Sequence, residues 1–384
     1  MIQRSPSDDQ HHAPAGLSRR RLGALAAGGA AALGGAALGA GALTPQPGRA
    51  QGTEPPQPQA AVGYVLAHEQ FPTPALVCHA VCAEQAGFSH VWTSDHSQPW
   101  QDNQGHAMFP WLTLALIGDH TSQLWLGTGV TCPSYRHDPS QVAQAFASLG
   151  VLSPGRVFLG VGSGEGVNEL AATGRFGRYP ERHDRLAEAI QLIRTLWTGK
   201  RTTFRGRFYQ TDQFKLYDLP REPVPIYVAA AGPRSAYLAG QLGDGWIAQE
   251  RDFTDPAVRV AFAAGALSVG KDPVSMPIYV EHFVVVGGQD EATYAAERWR
   301  FTADQSPDQV YQPDPVVIQS LAEQRVPLPE VYAQWTVGDD PAVHIRALQK
   351  IIALGGTPFV HSGQADQQRV IDFYGSSVLP HVHG

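Results

Sequence analysis

From residue 62 onward the chain alternates short apolar runs with longer segments in which apolar residues recur every three or four positions. The short runs, rich in Val, Ile, Leu, Phe and Tyr, predict strands at 62–68, 90–94, 124–131, 157–162, 226–230, 245–249, 278–286 and 358–361. The longer segments predict helices at 74–86, 111–121, 139–149, 181–197, 233–240, 256–268, 291–301 and 341–354, with a last one at 367–377. Strand and helix in strict alternation call for a parallel sheet with helical crossovers. Eight such units predict an α/β fold closed as a (β/α)8 barrel. An open doubly wound sheet would carry a GxGxxG turn after its first strand, and none is present.

Two stretches interrupt the alternation. Residues 202–218 (TTFRGRFYQTDQFKLYD) predict a hairpin inserted after strand four. Residues 301–335 are polar and Pro-rich with few periodic apolar positions, which predicts an excursion over the barrel mouth after strand seven.

The first fifty residues have another character. Ser18-Arg19-Arg20-Arg21-Leu22 leads into an uncharged run to Leu43 made only of Ala, Gly and Leu. A basic region, a weakly apolar core and small residues near Ala50 describe an export leader, and the paired arginines make it a twin-arginine (Tat) signal over 1–50. That reading brings in the twin-arginine translocase as a partner. It places the mature chain in the cell envelope, periplasm or medium. Residues 51–61 are a Pro/Gln-rich linker, and 62–384 form the barrel domain.

Composition narrows the chemistry. The 384 residues carry 28 Lys+Arg against 35 Asp+Glu, a net charge of -7, which argues against nucleic acid as a partner. A hydrophobic share of 43% with 16% charged residues supports a sizeable core. Three cysteines give no disulfide framework, and Cys78 and Cys82 read as small buried residues on one helix face. No HExxH or CxxC spacing is present, so no metal site is expected.

In a barrel of this kind the chemistry gathers at the C-terminal ends of the strands. Strand two ends Asp95-His96-Ser97-Gln98-Pro99-Trp100. An acid and a histidine directly after an apolar strand are costly to half-bury unless paired or used. His96 can carry a proton from an alcohol, and Trp100 offers a flat apolar wall. Strand three ends Gly127-Thr128-Gly129-Val130-Thr131-Cys132, and strand four ends Gly160-Val161-Gly162-Ser163-Gly164-Glu165, followed by Asn168. Alternate glycines leave room for a planar ligand, with Glu165 aimed toward it. Strand five ends Ala231-Gly232-Pro233-Arg234-Ser235 at a helix start, where backbone amides suit a phosphate. The GxxxxGK[ST] loop, the GxSxG elbow and the glycosidase carboxylate pair are all missing. A proton-handling pair beside room for a flat ring points to redox chemistry, provided that His96 and Glu165 face one basin.

These segments, together with Arg156-Val157-Phe158-Leu159, Ala143-Gln144-Ala145-Phe146-Ala147 and Gly243-Asp244-Gly245, resemble the luciferase-like (β/α)8 flavin and deazaflavin oxidoreductases. The likeness covers 62–380 and is greatest to the branch of the F420-dependent glucose-6-phosphate dehydrogenases, in an exported sub-branch. It implies coenzyme F420 in the bowl and hydride exchange with a CH–OH group. Asp95, Gly129, Val130, Cys132, Ser163, Gly164, Asn168, Ala231, Gly232, Arg234 and Ser235 match cofactor contacts. A non-prolyl cis peptide is implied between Gly129 and Val130. His96 and Glu165 match the two proton-transfer residues, His96 taking the hydroxyl proton. Trp100 matches the residue beside the transferred hydride.

Departures from the branch bear on the substrate. Cys132 stands where the branch has Thr. After strand six the chain reads Gln249-Glu250-Arg251-Asp252 without the lysine that holds a sugar phosphate, and Arg300 keeps one cation. Trp100, Gln249 and Arg300 are therefore the candidate substrate contacts, for a small-molecule or lipid secondary alcohol rather than glucose 6-phosphate. A hydroxylated envelope lipid, such as hydroxymycolic acid oxidised to the keto form, suits an exported enzyme. The competing readings are an FMN-dependent monooxygenase of the same superfamily and a non-catalytic exported binding protein. A second copy of the chain, as a homodimer, is a further candidate partner.

Overall fold

The computed structural model describes residues 59–384. The leader expected over 1–50, and residues 51–58 of the linker, lie outside the described residues. Nine strands form one sheet: β1 (Gly63–Leu66), β2 (His90–Thr93), β3 (Trp125–Thr128), β4 (Val157–Val161), β5 (Ile226–Ala229), β6 (Gly245–Gln249), β7 (Ile278–Val286), β8 (Thr336–Gly338) and β9 (Thr357–His361). Each of β1 to β6 pairs in parallel with the next, β6 pairs with β7, β7 with β9, and β9 returns to β1. The eight expected strands thus close the barrel. The ninth, three-residue β8, only extends the far half of β7, from Val284 to Val286.

Between the strands run α1 (Thr73–Ala86), α2 (Pro110–His120), α3 (Pro139–Leu152), α4 (Glu169–Thr173), α5 (Tyr179–Leu196), α6 (Pro233–Leu242), α7 (Glu250–Thr254), α8 (Pro256–Leu267) and α9 (Gln289–Arg298). They continue with α10 (Pro315–Arg325), α11 (Leu328–Tyr332), α12 (Pro341–Ala353) and α13 (Gln367–Phe373). Four of them (α3, α8, α10 and α12) open on an Asp–Pro pair. The Asp carboxylate accepts the amide two residues on, at 2.8 to 2.9 Å, and Pro supplies a preset φ where no amide is needed. Each cap is worth about 1 kcal/mol.

Inward-facing residues fill the barrel. Val65, Trp92, Phe158, Tyr227, Ile247, Tyr279 and Phe359 make one cluster, with Trp92 stacked on Phe359 at 3.9 Å between centroids. Where the strands crowd, Gly160 is required: a Cβ there would lie 1.9 Å from the Thr128 carbonyl oxygen. The outward faces pack under the helices in a second, larger core. Cys78 is exposed and Cys82 half-buried, so the expected pair of buried cysteines is corrected; only Cys132 is buried.

Both expected interruptions are present. Antiparallel bridges join Thr202 to Phe214 and Arg205 to Gln210 between β4 and β5. After β7, the stretch read as irregular instead holds 3-10 turns with α10 and α11. It packs Phe301, Ile318 and Ala322 with Trp299, Val167 and Ala67. At the opposite end of the barrel, Gln59 bridges His383 and the Ala60 amide donates to the Val382 carbonyl at 3.1 Å. The first described residues and the last are therefore clasped together beneath β1.

Candidate active site

The C-terminal ends of the parallel strands share one face, and the residues expected to carry the chemistry lie on it. The interior-facing side chains around its rim fall into two halves. On the β3–β5 side they are small: Gly129, Gly162, Ala229 and Ala231. On the other side stand His96, Gln249, Glu281 and His361, with Glu69 after β1.

His96 and Glu165 are brought together by Asn168. The Asn168 carboxamide Nδ2 donates to His96 Nδ1 at 3.1 Å and to Glu165 Oε2 at 3.4 Å. Its Oδ1 accepts the Ser97 backbone amide at 2.8 Å and the Ser97 hydroxyl at 3.3 Å. The basin required by the sequence reading exists, and one amide spans it. Gly164 makes the turn that delivers this loop, with φ at 80°, a left-handed conformation that favours glycine. A Cβ on Gly164 would also meet Cys132 Sγ at 2.6 Å. Burial, then Glu169 and Glu165, push the Cys132 thiol well above its ordinary range, so it acts here as packing rather than as a nucleophile.

The other ring nitrogen of His96 faces a residue the sequence reading missed. Glu69 Oε1 lies 3.6 Å from His96 Nε2, while Glu69 Oε2 accepts the Ser94 hydroxyl. Glu69 is buried, as is its neighbour His68, whose two ring nitrogens have no partner. Burial lowers the His68 pKa to about 4, against the raising effect of Glu69 and Asp95, so its ring is neutral at pH 7.

Asp95 is more fully committed than its expected role as a cofactor contact suggested. Its Oδ1 accepts Arg136 Nη2 at 2.7 Å and lies 3.4 Å from His137 Nε2; its Oδ2 accepts the Thr131 hydroxyl at 2.6 Å. The hydrogen bonds from His137 and Thr131 and the charge of Arg136 outweigh burial and hold the carboxyl well below the usual range. Glu169 completes the cluster: its Oε2 accepts the Arg136 amide at 2.7 Å, and its Oε1 lies 3.8 Å from Arg136 Nε. Arg136, His137 and Glu169 were not anticipated, because their link to Asp95 exists only in the fold.

Burial pushes the Glu169 carboxyl from 4.5 up to about 7, despite the Arg136 amide and charge. Below the lower of these values both states are protonated. Between them the folded chain holds a proton that the unfolded chain has lost, so this group's contribution to stability falls as pH rises. Glu169→Gln is therefore expected to gain on the wild type by about 1–3 kcal/mol between pH 4 and pH 8, seen as a growing difference in Tm. A pH-independent difference would refute the assignment.

Trp100 stacks on Phe301 at 4.8 Å and stands 5.5 Å from the His96 ring. Trp299 and Phe283 continue this wall to His361, at 4.3 and 4.2 Å, and Trp335 stacks on Phe283 at 5.2 Å. Gln98 secures it: its Nε2 donates to the Val167 and Pro313 carbonyls, tying the β2 and β4 loops to the insertion. The excursion after β7 is thus a wall of the basin. Arg300 is part of the insertion, but its Nη1 turns to the Glu323 carbonyl at 3.4 Å rather than to His96. Gln249 closes β6 at the mouth. The acidic loop behind it is less negative than its sequence implies. Glu250 pairs with His282 at 2.7 Å and Lys350 at 3.7 Å, and burial lifts Asp252 to about 6.

The small-residue side fits a flat cofactor with an anionic tail. Among the described residues no hydrogen-bond acceptor serves the first-turn amide of Arg234 at the start of α6. A Cβ on the preceding Gly232 would meet nothing within 4 Å, so the approach to that helix terminus is open. Arg234 stands beside it, its Nη2 3.5 Å from Asp184. Across the Ser163–Gly164 turn, Arg182 donates to the Gly164 carbonyl at 2.9 Å, while its buried Nε has no partner. The Gly129–Val130 peptide is cis, as the resemblance implied. A separate cavity, lined by Trp125, Gly150, Val157 and Pro223, opens at the other end of the barrel, away from these groups.

Barrel and rim together define a class. Residues 49–337 match the luciferase-like monooxygenase family, and the chain belongs to that family. It is 55% identical over 368 residues (96% of this chain, 99% of the relative) to F420-dependent hydroxymycolic acid dehydrogenase of Mycobacterium tuberculosis. To F420-dependent glucose-6-phosphate dehydrogenase of Beutenbergia cavernae it is 38% identical over 328 residues, 84% and 97% of the two chains. Among solved structures, an F420-dependent secondary alcohol dehydrogenase in complex with an F420–acetone adduct superposes with a TM-score of 0.79 at 28% identity, covering 84% of this chain and 99% of that one. The F420-dependent tetrahydromethanopterin reductase from Methanopyrus kandleri, at 20% identity and a TM-score of 0.69, shares the fold.

Proposed function

We propose that the chain is an F420-dependent oxidoreductase that exchanges hydride with a secondary alcohol or its ketone. The observation that carries this is the Asn168 bridge, which sets an imidazole and a carboxylate side by side in the basin of a chain related to F420-dependent dehydrogenases. Gly129, Val130, Ser163, Gly164 and Cys132 would cradle the cofactor head, and Ala231, Gly232, Arg234 and Ser235 its phosphate. Bound there, a deazaflavin supplies a two-electron hydride acceptor and needs no oxygen pocket.

The chain's own groups do the rest. The substrate hydroxyl docks at the Nε2 edge of His96, next to Glu69. Glu165, on the far side of Asn168, handles the proton on the cofactor side. Trp100 and the aromatic wall exclude water and favour an apolar substrate body. That wall, the relative of M. tuberculosis and the Arg19-Arg20-Arg21 run ahead of the Ala/Gly/Leu stretch together support a hydroxylated envelope lipid as substrate and the cell envelope as its place. Fractionation of producing cells checks the location: a chain found wholly in the cytoplasm would remove it.

Titration of the purified protein with F420 and with FMN, followed by a screen of secondary alcohols against the deazaflavin absorbance, tests the function. F420 binding and bleaching by an alcohol are expected. Tight FMN binding with oxygen consumption would establish the monooxygenase reading instead. F420 binding with no alcohol turned over would favour a binding protein.

A further inference from the structure

The orientation of Asn168 decides which atom of His96 bears a proton. Amide oxygen and nitrogen are distinguished only by their partners. Here the partners leave one choice. The Ser97 backbone amide is a donor and needs the carboxamide oxygen at its 2.8 Å contact. Glu165 Oε2, an acceptor when ionised, needs the NH2 group. The second NH2 hydrogen then points at His96 Nδ1, 3.1 Å away, which must be an acceptor. A neutral imidazole that accepts at Nδ1 carries its hydrogen on Nε2. To take a proton at Nε2 the ring would first need the other tautomer, which turns an N–H toward the Asn168 NH2.

Nε2–H points into the basin toward Glu69 Oε1, 3.6 Å away. That separation is too long for a hydrogen bond between the two, and it suits an oxygen that meets both. A substrate hydroxyl placed there accepts from Nε2–H and donates to Oε1. Glu69 Oε2 is already held by the Ser94 hydroxyl, so Oε1 is the free oxygen and its direction is set.

We propose that Glu69 is the catalytic base, and that His96, locked by Asn168 as a donor, holds and polarises the substrate oxygen. This rests on the dehydrogenase reading above and reassigns the proton within it. In the oxidation, the alcohol O–H bond breaks and its proton passes to Glu69 Oε1. The O–H pair becomes the second bond of the carbonyl as the carbinol C–H pair leaves as hydride to the deazaflavin. In the reverse direction Glu69 returns the proton. Nε2–H stabilises the partial negative charge on oxygen in both directions.

Two experiments test this. Long-range 1H–15N correlation on the protein without cofactor, assigned by comparison with a His96→Asn sample, reads the tautomer at a pH where the ring is neutral. The Nε2–H form is expected; the Nδ1–H form would overturn the proposal. With F420 and an active alcohol, Glu69→Gln is expected to lose about 100- to 1,000-fold in kcat while F420 affinity stays within about threefold. His96→Gln, which keeps an amide donor but is no base, should lose less than Glu69→Gln. Formate should restore at least about tenfold to Glu69→Ala, a response that a structural role would not show. A Glu69→Gln enzyme within tenfold of wild type would overturn the assignment. Wild-type protein that binds no F420 would remove the dehydrogenase reading and leave the tautomer result standing.

Discussion

His96→Ala is expected to lower turnover by about 100- to 10,000-fold while leaving F420 affinity within a few fold. The ring faces Glu69 on one edge, where the proposed substrate oxygen would dock, and Asn168 on the other, and the proposed cofactor cradle is built mainly from the small residues at the ends of β3 to β5. Its loss removes a donor to the reacting oxygen without emptying that cradle. Pre-steady-state cofactor reduction, together with fluorescence titration of F420, separates the two effects. Turnover within tenfold of wild type would end any role for His96. Equal losses in affinity and turnover would make it a structural residue. His96→Asn is the companion variant, because its shorter side chain keeps polarity at the site should alanine perturb the fold.

The second large effect concerns stability. Asp95→Ala removes the acceptor for Arg136, Thr131 and His137 together. Arg136 is only 12% exposed and would keep a single carboxylate neighbour, Glu169 at 3.8 Å. Breaking a buried pair by deleting one partner typically costs about 3–5 kcal/mol, since the remaining charge is left in a poorly solvated place. For a chain of this size that lowers Tm by roughly 4–7 °C. Asp95→Asn retains an oxygen for Thr131 and should cost less. Calorimetry showing a shift under about 2 °C for the alanine variant would refute this account. Because Asp95 directly precedes His96, turnover is expected to fall along with stability.

The alternation of strands and helices was readable along the chain because each barrel strand is buried on both faces and each helix on one. These are the patterns a one-dimensional hydropathy reading detects. β8 escaped because three half-buried residues have no period. The insertion after β7 was read as irregular because its apolar residues (Phe301, Ile318, Val331 and Trp335) serve separate contacts across the mouth rather than one stripe. In the site, His96, Trp100, Glu165 and Asn168 stood out as polar or aromatic residues directly following apolar strands. Glu69 stood in the same relation to β1, in Ala67-His68-Glu69-Gln70, and attention to that first strand end would have found it. Arg136 gave no such signal. It lies in a loop after β3, and only the return of the chain past β2 makes it the counter-ion of Asp95.

The clasp of Gln59 on His383 has a practical outcome. Both ends of the described chain emerge on the floor of the barrel, with the whole length of the strands between them and the substrate. An affinity handle or fluorescent fusion after Gly384 would leave the entrance free, and anchoring the protein to a bead or sensor chip through it would present every molecule open side outward. The same adjacency lets a short peptide join residue 384 to residue 59. New ends could then be cut at Asp212–Gln213, the exposed part of the hairpin, which spares the buried Tyr209 and gives a permuted enzyme with its termini away from the floor clasp.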